Sequence, residues 1–389
     1  MIGGKLISEG GFGCVFNPSI DCDGLSSSEK FVSKIQRYDN SAKNEIEIGN
    51  ILSKISVYKS HFAPVISYCN IEIGKIKDKD KNKCMLFKKK KTNKYILMKM
   101  DYIEGMEFLQ YMVKNANSVQ IINNIINSFN TLLRSISLLV DNKILHYDLK
   151  GSNILYSEKK KIPLIIDFGL SINMNNIDKM NLKNIFYTYA PQYYVWPLEV
   201  HYLGFLFNIN PSPNEDDLKK LTNTFVTNNK GINQNFSPLF LKRYEKECLE
   251  QLKIYNEMEY NTRIKYLINF WKTWDNYSLS IIYLRFLKYL AIDGYYENAF
   301  IKFMGKLLLQ NIHPNPKKRL SLIDTTHTFN GFLYKEEINV ESTFEELTDK
   351  FIKNKKNINK NLKNHNKIDV RDTKTMKIEK RKNIKSLAI

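Results

Sequence analysis

The clearest hydrophobic pattern in the chain lies between Val119 and Val140. Apolar side chains recur there every three or four positions, at Ile122, Ile125, Phe129, Leu132, Leu133, Ile136 and Leu139. This period predicts an amphipathic helix with one buried face. A shorter stripe of the same period, formed by Ile48, Ile51, Leu52 and Ile55, predicts a second helix. Both helices therefore have a face that must pack against the rest of the chain.

Near the N-terminus, strand-like residues flank a glycine-rich turn. The turn contains Gly10, Gly11, Phe12 and Gly13, and Val15 follows it. Glycine lets a backbone approach anionic oxygens because it has no Cβ, and Phe12 at the tip would help to exclude water. A lone turn of this kind is more often a surface hairpin than a phosphate-binding loop.

Phe31-Val32-Ser33-Lys34 favours the phosphate-binding interpretation. Side chains two positions apart in a strand share one face, so Val32 and Lys34 point the same way. We expect Val32 to cover an adenine ring while Lys34 reaches the phosphates. The Lys34 ammonium then needs a carboxylate, and both Glu45 and Glu47 lie at the margins of the shorter helical stripe. Periodicity alone does not choose between them.

A second group of polar residues lies after the long helix. Asp148 and Asn153 belong to His146-Tyr147-Asp148-Leu149-Lys150-Gly151-Ser152-Asn153, and Asp167-Phe168-Gly169 follows. A carboxylate that accepts a hydroxyl proton, a nearby lysine, and an amide and a carboxylate that bind metal ions are what phosphoryl transfer requires. The two groups of residues together predict an enzyme that transfers a phosphoryl group.

These motifs resemble those of eukaryotic-type protein kinases, from about Leu6 to about Phe332. The resemblance implies an α+β, bilobal protein kinase fold with a small β-rich N-lobe containing one main helix and a larger, mostly helical C-lobe. We expect the N-lobe at residues 1–103 and the C-lobe at 104–335, with a divergent helical region at about 203–300. The helix at 119–140 would lead into the catalytic loop. A basic tail at 336–389 is expected to be disordered.

The resemblance also implies roles for individual residues. Asp148 is expected to be the catalytic base, Lys150 to steady the transferred phosphoryl group, and Glu45 to pair with Lys34. Asn153 and Asp167 would bind magnesium, with manganese as an alternative. The implied ATP-binding residues are Ser8, Gly10, Gly11, Phe12, Gly13, Val15, Val32, Lys34, Met100, Asp101, Ile103, Glu107, Leu155 and Asp167.

Within that set, Met100 would be the gatekeeper, and the backbone from Asp101 to Ile103 would contact the adenine edge. Leu155 would lie beneath the adenine ring. Glu107 stands where an acidic residue often binds the ribose, although it could equally be a carboxylate at a helix start. Lys150 resembles the lysine of serine/threonine kinases, so we expect Ser/Thr hydroxyls of proteins as acceptors.

Several positions depart from the usual kinase pattern. Ser8 replaces the first glycine of the loop, and Tyr147 replaces the arginine that grips an activation-loop phosphate in switchable kinases. We therefore expect activity that is independent of phosphorylation between Ser171 and Tyr189.

The end of the expected activation segment, Tyr189-Ala190-Pro191-Gln192, lacks the usual glutamate. Residues 313–320 resemble the kinase stretch whose arginine forms a buried ion pair with that glutamate. Because such an arginine needs a carboxylate, we expect Glu199 to pair with Arg319. The aspartate that commonly braces the catalytic loop is also absent from 193–208. The divergent region is expected to form several helices with loops around Asn228-Asn229 and Asp275-Asn276.

The formal net charge is +19, and residues 351–389 carry about half of it, with thirteen Lys/Arg against three Asp/Glu. This tail and a basic cluster at 75–94 could attract an acidic partner or nucleic acid, whereas the simpler interpretation is a solvated surface. No apolar run approaches the roughly 20 residues that span a bilayer. Five cysteines without close pairs match neither a disulfide framework nor a zinc site, which favours a reducing, intracellular location.

The departures also resemble serine/threonine kinases of large nucleocytoplasmic DNA viruses. This resemblance rests on residues 10–18, Ile20-Asp21-Cys22 and Trp196-Pro197-Leu198-Glu199, and heavy use of Lys, Asn and Ile fits an AT-rich genome. It implies a viral protein in the host cytoplasm. Two alternatives stay open: a pseudokinase scaffold, which Ser8 and Tyr147 permit, and a kinase-like phosphotransferase for small molecules. Asp-Phe-Gly and the aromatic-tipped loop disfavour the second.

Overall fold

The computed structural model describes residues 4–9, 13–22, 27–72, 74, 76, 82–88, 94–114, 118–179, 181–291 and 299–335. Three sequence predictions fall wholly or partly outside these residues. They are the tip of the glycine-rich loop at Gly10, Gly11 and Phe12, the centre of the basic cluster at 89–93, and the tail at 336–389.

The N-terminal part of the chain is built on an antiparallel sheet of five strands. In spatial order these are β1 (Lys5–Glu9), β2 (Gly13–Asn17), β5 (Phe31–Arg37), β7 (Tyr95–Asp101) and β6 (Ser67–Ile71). Two short strands, β3 (Ser19–Ile20) and β4 (Ser27–Ser28), pair with each other beside the sheet. The alternation of β2 and β5 buries Phe16 and Ile35 in a small apolar core.

Helix α1 (Asn40–Leu52) packs beside this sheet. The Asp39 carboxylate caps it by accepting a hydrogen bond from the Ala42 N–H at 3.1 Å, which satisfies one of the free donors of the first turn. Its buried face includes Ile48 and Leu52 from the predicted stripe. The short helix α2 (Met85–Lys88) lies between β6 and β7.

The rest of the described chain is mostly helical. Helix α4 (Ser118–Asp141) follows the shorter α3 (Phe108–Lys114), and its seven predicted stripe residues are all buried in the larger core. Five short strands lie next to it: β8 (Gly105–Glu107), β10 (Ile154–Ser157) and β11 (Ile162–Ile165) form one sheet, and β9 (Ile144–Leu145) pairs with β12 (Ile172–Asn173). The segment with Asp148 connects β9 to β10, as the prediction of a loop after the long helix requires.

The helices that complete this part are α5 (Leu182–Ile185), α6 (Leu198–Asn208), α7 (Glu215–Asn228), α8 (Pro238–Asn256), α9 (Tyr260–Ile268), α10 (Trp274–Ala291), α11 (Ala299–Asn311) and α12 (Leu322–Lys335). The predicted loop at Asn228-Asn229 is confirmed, because α7 ends there. The predicted loop at Asp275-Asn276 is wrong, because both residues lie in the first turn of α10. Instead of forming a turn, Asp275 accepts a hydrogen bond from the His146 N–H and Asn276 donates one to Thr325.

The expectation about the cysteines is also wrong for four of the five. Cys14 in β2 forms a disulfide with Cys84, and Cys22 forms one with Cys69 in β6. The partners are 70 and 47 positions apart, so spacing along the chain gave no sign of them. The tertiary fold brings the partners together, and the cysteine argument for a reducing location no longer applies.

The sheet-rich N-terminal part and the helical remainder confirm the α+β, bilobal architecture implied by the resemblance. Among the described residues, no helix combines the length and apolar character that a bilayer crossing needs.

Candidate active site

Lys34 is held by Glu45 at the boundary between β5 and α1. Its Nζ atom donates to both carboxylate oxygens of Glu45 at 2.7 Å, and both side chains are buried. Glu47, the other candidate from the sequence, instead accepts long hydrogen bonds of 3.5 Å from Asn173 and Asn176. The pairing of Lys34 with Glu45 is thereby confirmed, and Glu47 belongs to the flank of the helix.

The same lysine also reaches Asp167, 133 positions further along the chain. Lys34 Nζ lies 3.1 Å from Asp167 Oδ1, so one ammonium contacts carboxylates from both parts of the protein. Burial alone would lower the pKa of Lys34, but the neighbouring Asp167 and Glu45 carboxylates outweigh burial and raise it above its ordinary value. Lys34 is therefore a permanent cation at neutral pH.

The backbone at Asp167 is strained. Its φ of 63° lies in the left-handed region, which costs a residue with a side chain roughly 1–3 kcal/mol. Packing around the next residue maintains this conformation, because buried Phe168 makes edge contacts with Phe62 and His146. The strain turns the Asp167 carboxylate toward Lys34.

Helix α1 is fastened to the segment that follows Asp167. Ser41 Oγ donates to the Gly169 carbonyl at 3.2 Å, and Asn44 Nδ2 donates to the Ser171 carbonyl at 2.8 Å. A Cβ at Gly169 would lie 3.3 Å from Glu45 Oε2, tighter than an ordinary contact. Glycine at this position therefore lets the segment approach the Lys34–Glu45 pair.

Asp148 lies at the centre of a dense hydrogen-bond cluster. Lys150 Nζ donates to its two carboxylate oxygens at 3.1 and 3.2 Å, and Asn153 Nδ2 donates to Oδ2 at 3.1 Å and to the Asp148 carbonyl at 2.9 Å. The Tyr193 hydroxyl donates to Oδ1. The structure thus brings Asp148, Lys150 and Asn153 together, as the sequence predicted, and adds Tyr193.

The loop that contains Asp148 is braced by a residue that the sequence did not reveal. Asp275 in α10 accepts hydrogen bonds from the backbone N–H groups of His146 at 2.7 Å and Tyr147 at 3.1 Å. Tyr147 needs such support because its φ is 66°. The stretch from 193 to 208 contains no aspartate, and three helices, α7 to α9, separate it from the helix that carries Asp275.

Burial changes the proton affinity of the Asp275 carboxylate. It raises the pKa of Asp275, and the adjacent His146 and the hydrogen bonds from His146 and Tyr147 oppose that increase. The signal that could have identified Asp275 is the strongly apolar stretch that follows it, since a polar residue at the start of a buried helix needs partners.

The predicted pairing of Glu199 with Arg319 is confirmed. Two parallel hydrogen bonds join the guanidinium to the carboxylate at 2.6 and 2.9 Å, and both side chains are almost completely buried. Trp274 Nε1 donates to Glu199 Oε1 at 3.0 Å. This pair connects the start of α6 to the segment before α12 and to the start of α10, next to Asp275.

The predicted nucleotide residues lie in the N-terminal sheet and at β8 and β10. Val32 pairs with Met100 across β5 and β7, and Asp101 ends β7. Glu107 ends β8 opposite Leu155 of β10, directly before α3, so either of its two interpretations fits this position. Ile103 lies between β7 and β8.

Around the glycine-rich turn, the structure describes the flanks only. Ser8 is in β1, and Gly13 and Val15 are in β2. A Cβ at Gly13 would lie 2.4 Å from the Ile35 carbonyl oxygen, so the close approach of β2 to β5 requires glycine there.

Asn153 and Asp167 fit the donor set that magnesium prefers, an amide oxygen and a carboxylate. The Asn153 amide nitrogen is the atom that contacts Asp148, which leaves the amide oxygen to act as a ligand. The Ile166 N–H donates to the Asn153 carbonyl at 3.0 Å, so a backbone hydrogen bond joins the two segments that carry these residues.

The chain is similar to known proteins over parts of its length. Residues 3–195 match the family model described as protein kinase domain. A stretch of 79 residues, 20% of the chain, is 33% identical to the EKC/KEOPS complex subunit bud32 of Dictyostelium discoideum and spans 31% of that protein. The autoinhibited serine kinase domain of the giant muscle protein titin superposes with a TM-score of 0.44 at 12% identity, over 90% of this chain and 87% of the titin chain.

Proposed function

Because the chain has the protein kinase fold and residues 3–195 match the protein kinase domain family, we propose that it is an ATP-dependent kinase that phosphorylates Ser/Thr hydroxyls of proteins. The observation that carries the proposal is the position of the Lys34 ammonium. It contacts Glu45 at 2.7 Å and Asp167 at 3.1 Å, which joins a lysine of the sheet to a carboxylate beside the catalytic loop. A cation held in this way can bind phosphate oxygens without moving.

In the proposed reaction, the substrate hydroxyl gives its proton to Asp148 while its oxygen attacks the γ-phosphorus. The bond from that phosphorus to the bridging oxygen of ADP breaks, and ADP leaves. Lys150, which lies 3.1 Å from the base, stabilises the negative charge on the transferred group. Asn153 and Asp167 would hold magnesium, which neutralises phosphate charge when bound.

Serine/threonine specificity is proposed because of Lys150. The acceptors would be protein side chains, and the basic residues at 351–389 could add binding to an acidic partner or nucleic acid. Kinship with kinases of large DNA viruses, and hence residence in the host cytoplasm, is proposed from the motifs described above. Mapping the disulfides in protein from its native source would test the proposed location, because cytoplasmic thiols are normally reduced.

The decisive experiment compares the wild type with Asp148→Asn in the presence of labelled ATP, magnesium ions and a mixture of proteins. We expect phosphoserine and phosphothreonine from the wild type, and a loss of roughly 10²–10⁴-fold when the base is removed. ATP binding without transfer by the wild type would favour a pseudokinase scaffold. Transfer to a small molecule, but to no protein, would favour the remaining alternative.

A further inference from the structure

The carboxylate of Asp148 is saturated with hydrogen-bond donors. Oδ1 accepts from Lys150 and Tyr193, and Oδ2 accepts from Lys150 and Asn153. A carboxylate has about four lone-pair positions, so these contacts fill its capacity. The side chain is also only 1% exposed. An incoming hydroxyl can therefore reach the base only if one of these donors moves away.

Tyr193 is the donor that resembles an acceptor substrate. It is a neutral hydroxyl that donates to Oδ1, which is the contact that a substrate hydroxyl makes before it loses its proton. Lys150 and Asn153, in contrast, have proposed roles toward the phosphoryl group and the metal. Tyr193 also lies outside the catalytic loop, 45 positions from Asp148, in the segment before α6.

The Tyr193 side chain is held where it is by aromatic packing. Its ring makes an edge contact with Trp196 at 4.9 Å between centroids, and Lys150 Nζ lies 5.9 Å from its centre. Trp196 in turn stacks on Tyr147 and donates from Nε1 to the Tyr147 carbonyl at 2.7 Å. The phenol therefore belongs to a rigid aromatic group that is attached to the catalytic loop itself.

We propose that the Tyr193 hydroxyl occupies the acceptor position at Asp148 and thereby excludes water until a protein hydroxyl displaces it. Tyr193 would thus be a specificity-determining residue, which favours transfer to protein over hydrolysis of ATP. In the reaction that it suppresses, water attacks the γ-phosphorus, the bond to ADP breaks, and the water proton passes to Asp148. This inference rests on the proposed function.

The test uses the full chain with ATP and magnesium ions, with and without dephosphorylated casein as acceptor, and compares the wild type with Tyr193→Phe. The variant keeps the ring but loses the hydroxyl. We expect the rate of ATP hydrolysis without casein to rise about tenfold to hundredfold. This is the rate ratio that corresponds to the loss of one hydrogen bond to a charged group. The KM for casein should fall, because casein no longer has to displace the Tyr193 hydroxyl.

Tyr189→Phe is the matched control, because it removes a phenol from the same segment whose ring packs on Phe205 instead. Its hydrolysis rate should equal that of the wild type. Tyr193→Leu, which also lacks the hydroxyl, provides a second variant in case the first is destabilised, and it should hydrolyse ATP faster as well.

Unchanged hydrolysis in both Tyr193 variants, or a lower kcat for transfer without faster hydrolysis, would overturn the inference and show a merely structural role. Such a result leaves the proposed function intact as long as the wild type phosphorylates casein. Failure of the wild type to phosphorylate any protein would instead refute the proposed function, and the inference with it.

Discussion

Asp275 accepts a hydrogen bond from the backbone N–H of His146 at 2.7 Å, across 129 positions of the chain. The contact fixes the first residue of the catalytic loop to the N-terminus of α10. Because the Glu199–Arg319 pair also contacts Trp274 at this helix start, the loop, α6 and the segment before α12 share one anchoring point.

Replacing Asp275 with asparagine should lower activity strongly. One of the two backbone N–H groups would then face an amide NH₂ or lose its acceptor, at a cost of about 2 kcal/mol in the free energy of unfolding. We expect kcat to fall about tenfold to hundredfold as the loop shifts. The control is Asp216→Asn, a carboxylate that is 92% exposed; comparable losses in both variants would contradict the assigned role. Steady-state kinetics and urea unfolding measure these effects.

Glu45→Gln and Glu47→Gln form a matched pair on one helix. Glu45→Gln removes a buried charge from the Lys34 ammonium, so kcat/KM for ATP should fall by about a hundredfold, the size expected when a positioning group is displaced. Glu47→Gln should change kcat/KM less than about threefold, because its contacts are long and partly exposed. An equal loss in the two variants would reject Glu45 as the specific partner.

The Glu199–Arg319 pair should behave as a buried ion pair. Glu199→Gln leaves the Arg319 guanidinium without its counter-charge, and we expect the free energy of unfolding to drop by roughly 3–5 kcal/mol. The double variant Glu199→Met/Arg319→Met should lose clearly less than the sum of the losses of the single variants Glu199→Met and Arg319→Met. A double-mutant cycle measured by urea unfolding provides the comparison, and additive losses would show that the two side chains act independently.

Stability should depend on pH through His201. Burial between Trp196 and Phe225 lowers its pKa from 6.5 to about 4. The unfolded chain binds this proton more tightly, so the stabilisation is present above pH 6.5 and is lost progressively as the pH falls toward 4. At pH 5 the loss should reach about 2 kcal/mol. His201→Phe keeps an aromatic ring, and urea titrations at pH 7 and pH 5 should show a smaller loss for it than for the wild type.

The two disulfides should raise the melting temperature. By the chain-entropy estimate, closing loops of 70 and 47 residues stabilises the protein by about 4 kcal/mol each. Treatment with dithiothreitol should therefore lower the melting temperature by several degrees. The double variant Cys84→Ser/Cys69→Ser should melt below the wild type and should no longer respond to the reductant. Both pairings would be contradicted if dithiothreitol left the melting temperature of the wild type unchanged and alkylation detected free thiols at these cysteines.

Local patterns in the sequence determined much of this protein. The 3.6-residue stripe identified α4, alternation placed Val32 and Lys34 on one face, and short motifs identified Asp148, Asn153 and Asp167 as the candidate catalytic group. The Glu199–Arg319 pair was also predictable, because the resemblance to kinases implies a buried arginine at 319 and such an arginine needs a carboxylate. Each of these inferences depends on spacing within a few residues or on a rule of charge compensation.

Only the tertiary structure decided which distant groups meet. It paired Cys14 with Cys84 and Cys22 with Cys69, it brought Asp275 and Tyr193 to the loop that contains Asp148, and it settled the choice between Glu45 and Glu47, which periodicity left open. The physical reason is that such contacts depend on how helices and strands pack. Periodicity shows which face of an element is buried, but it does not show what that face will touch.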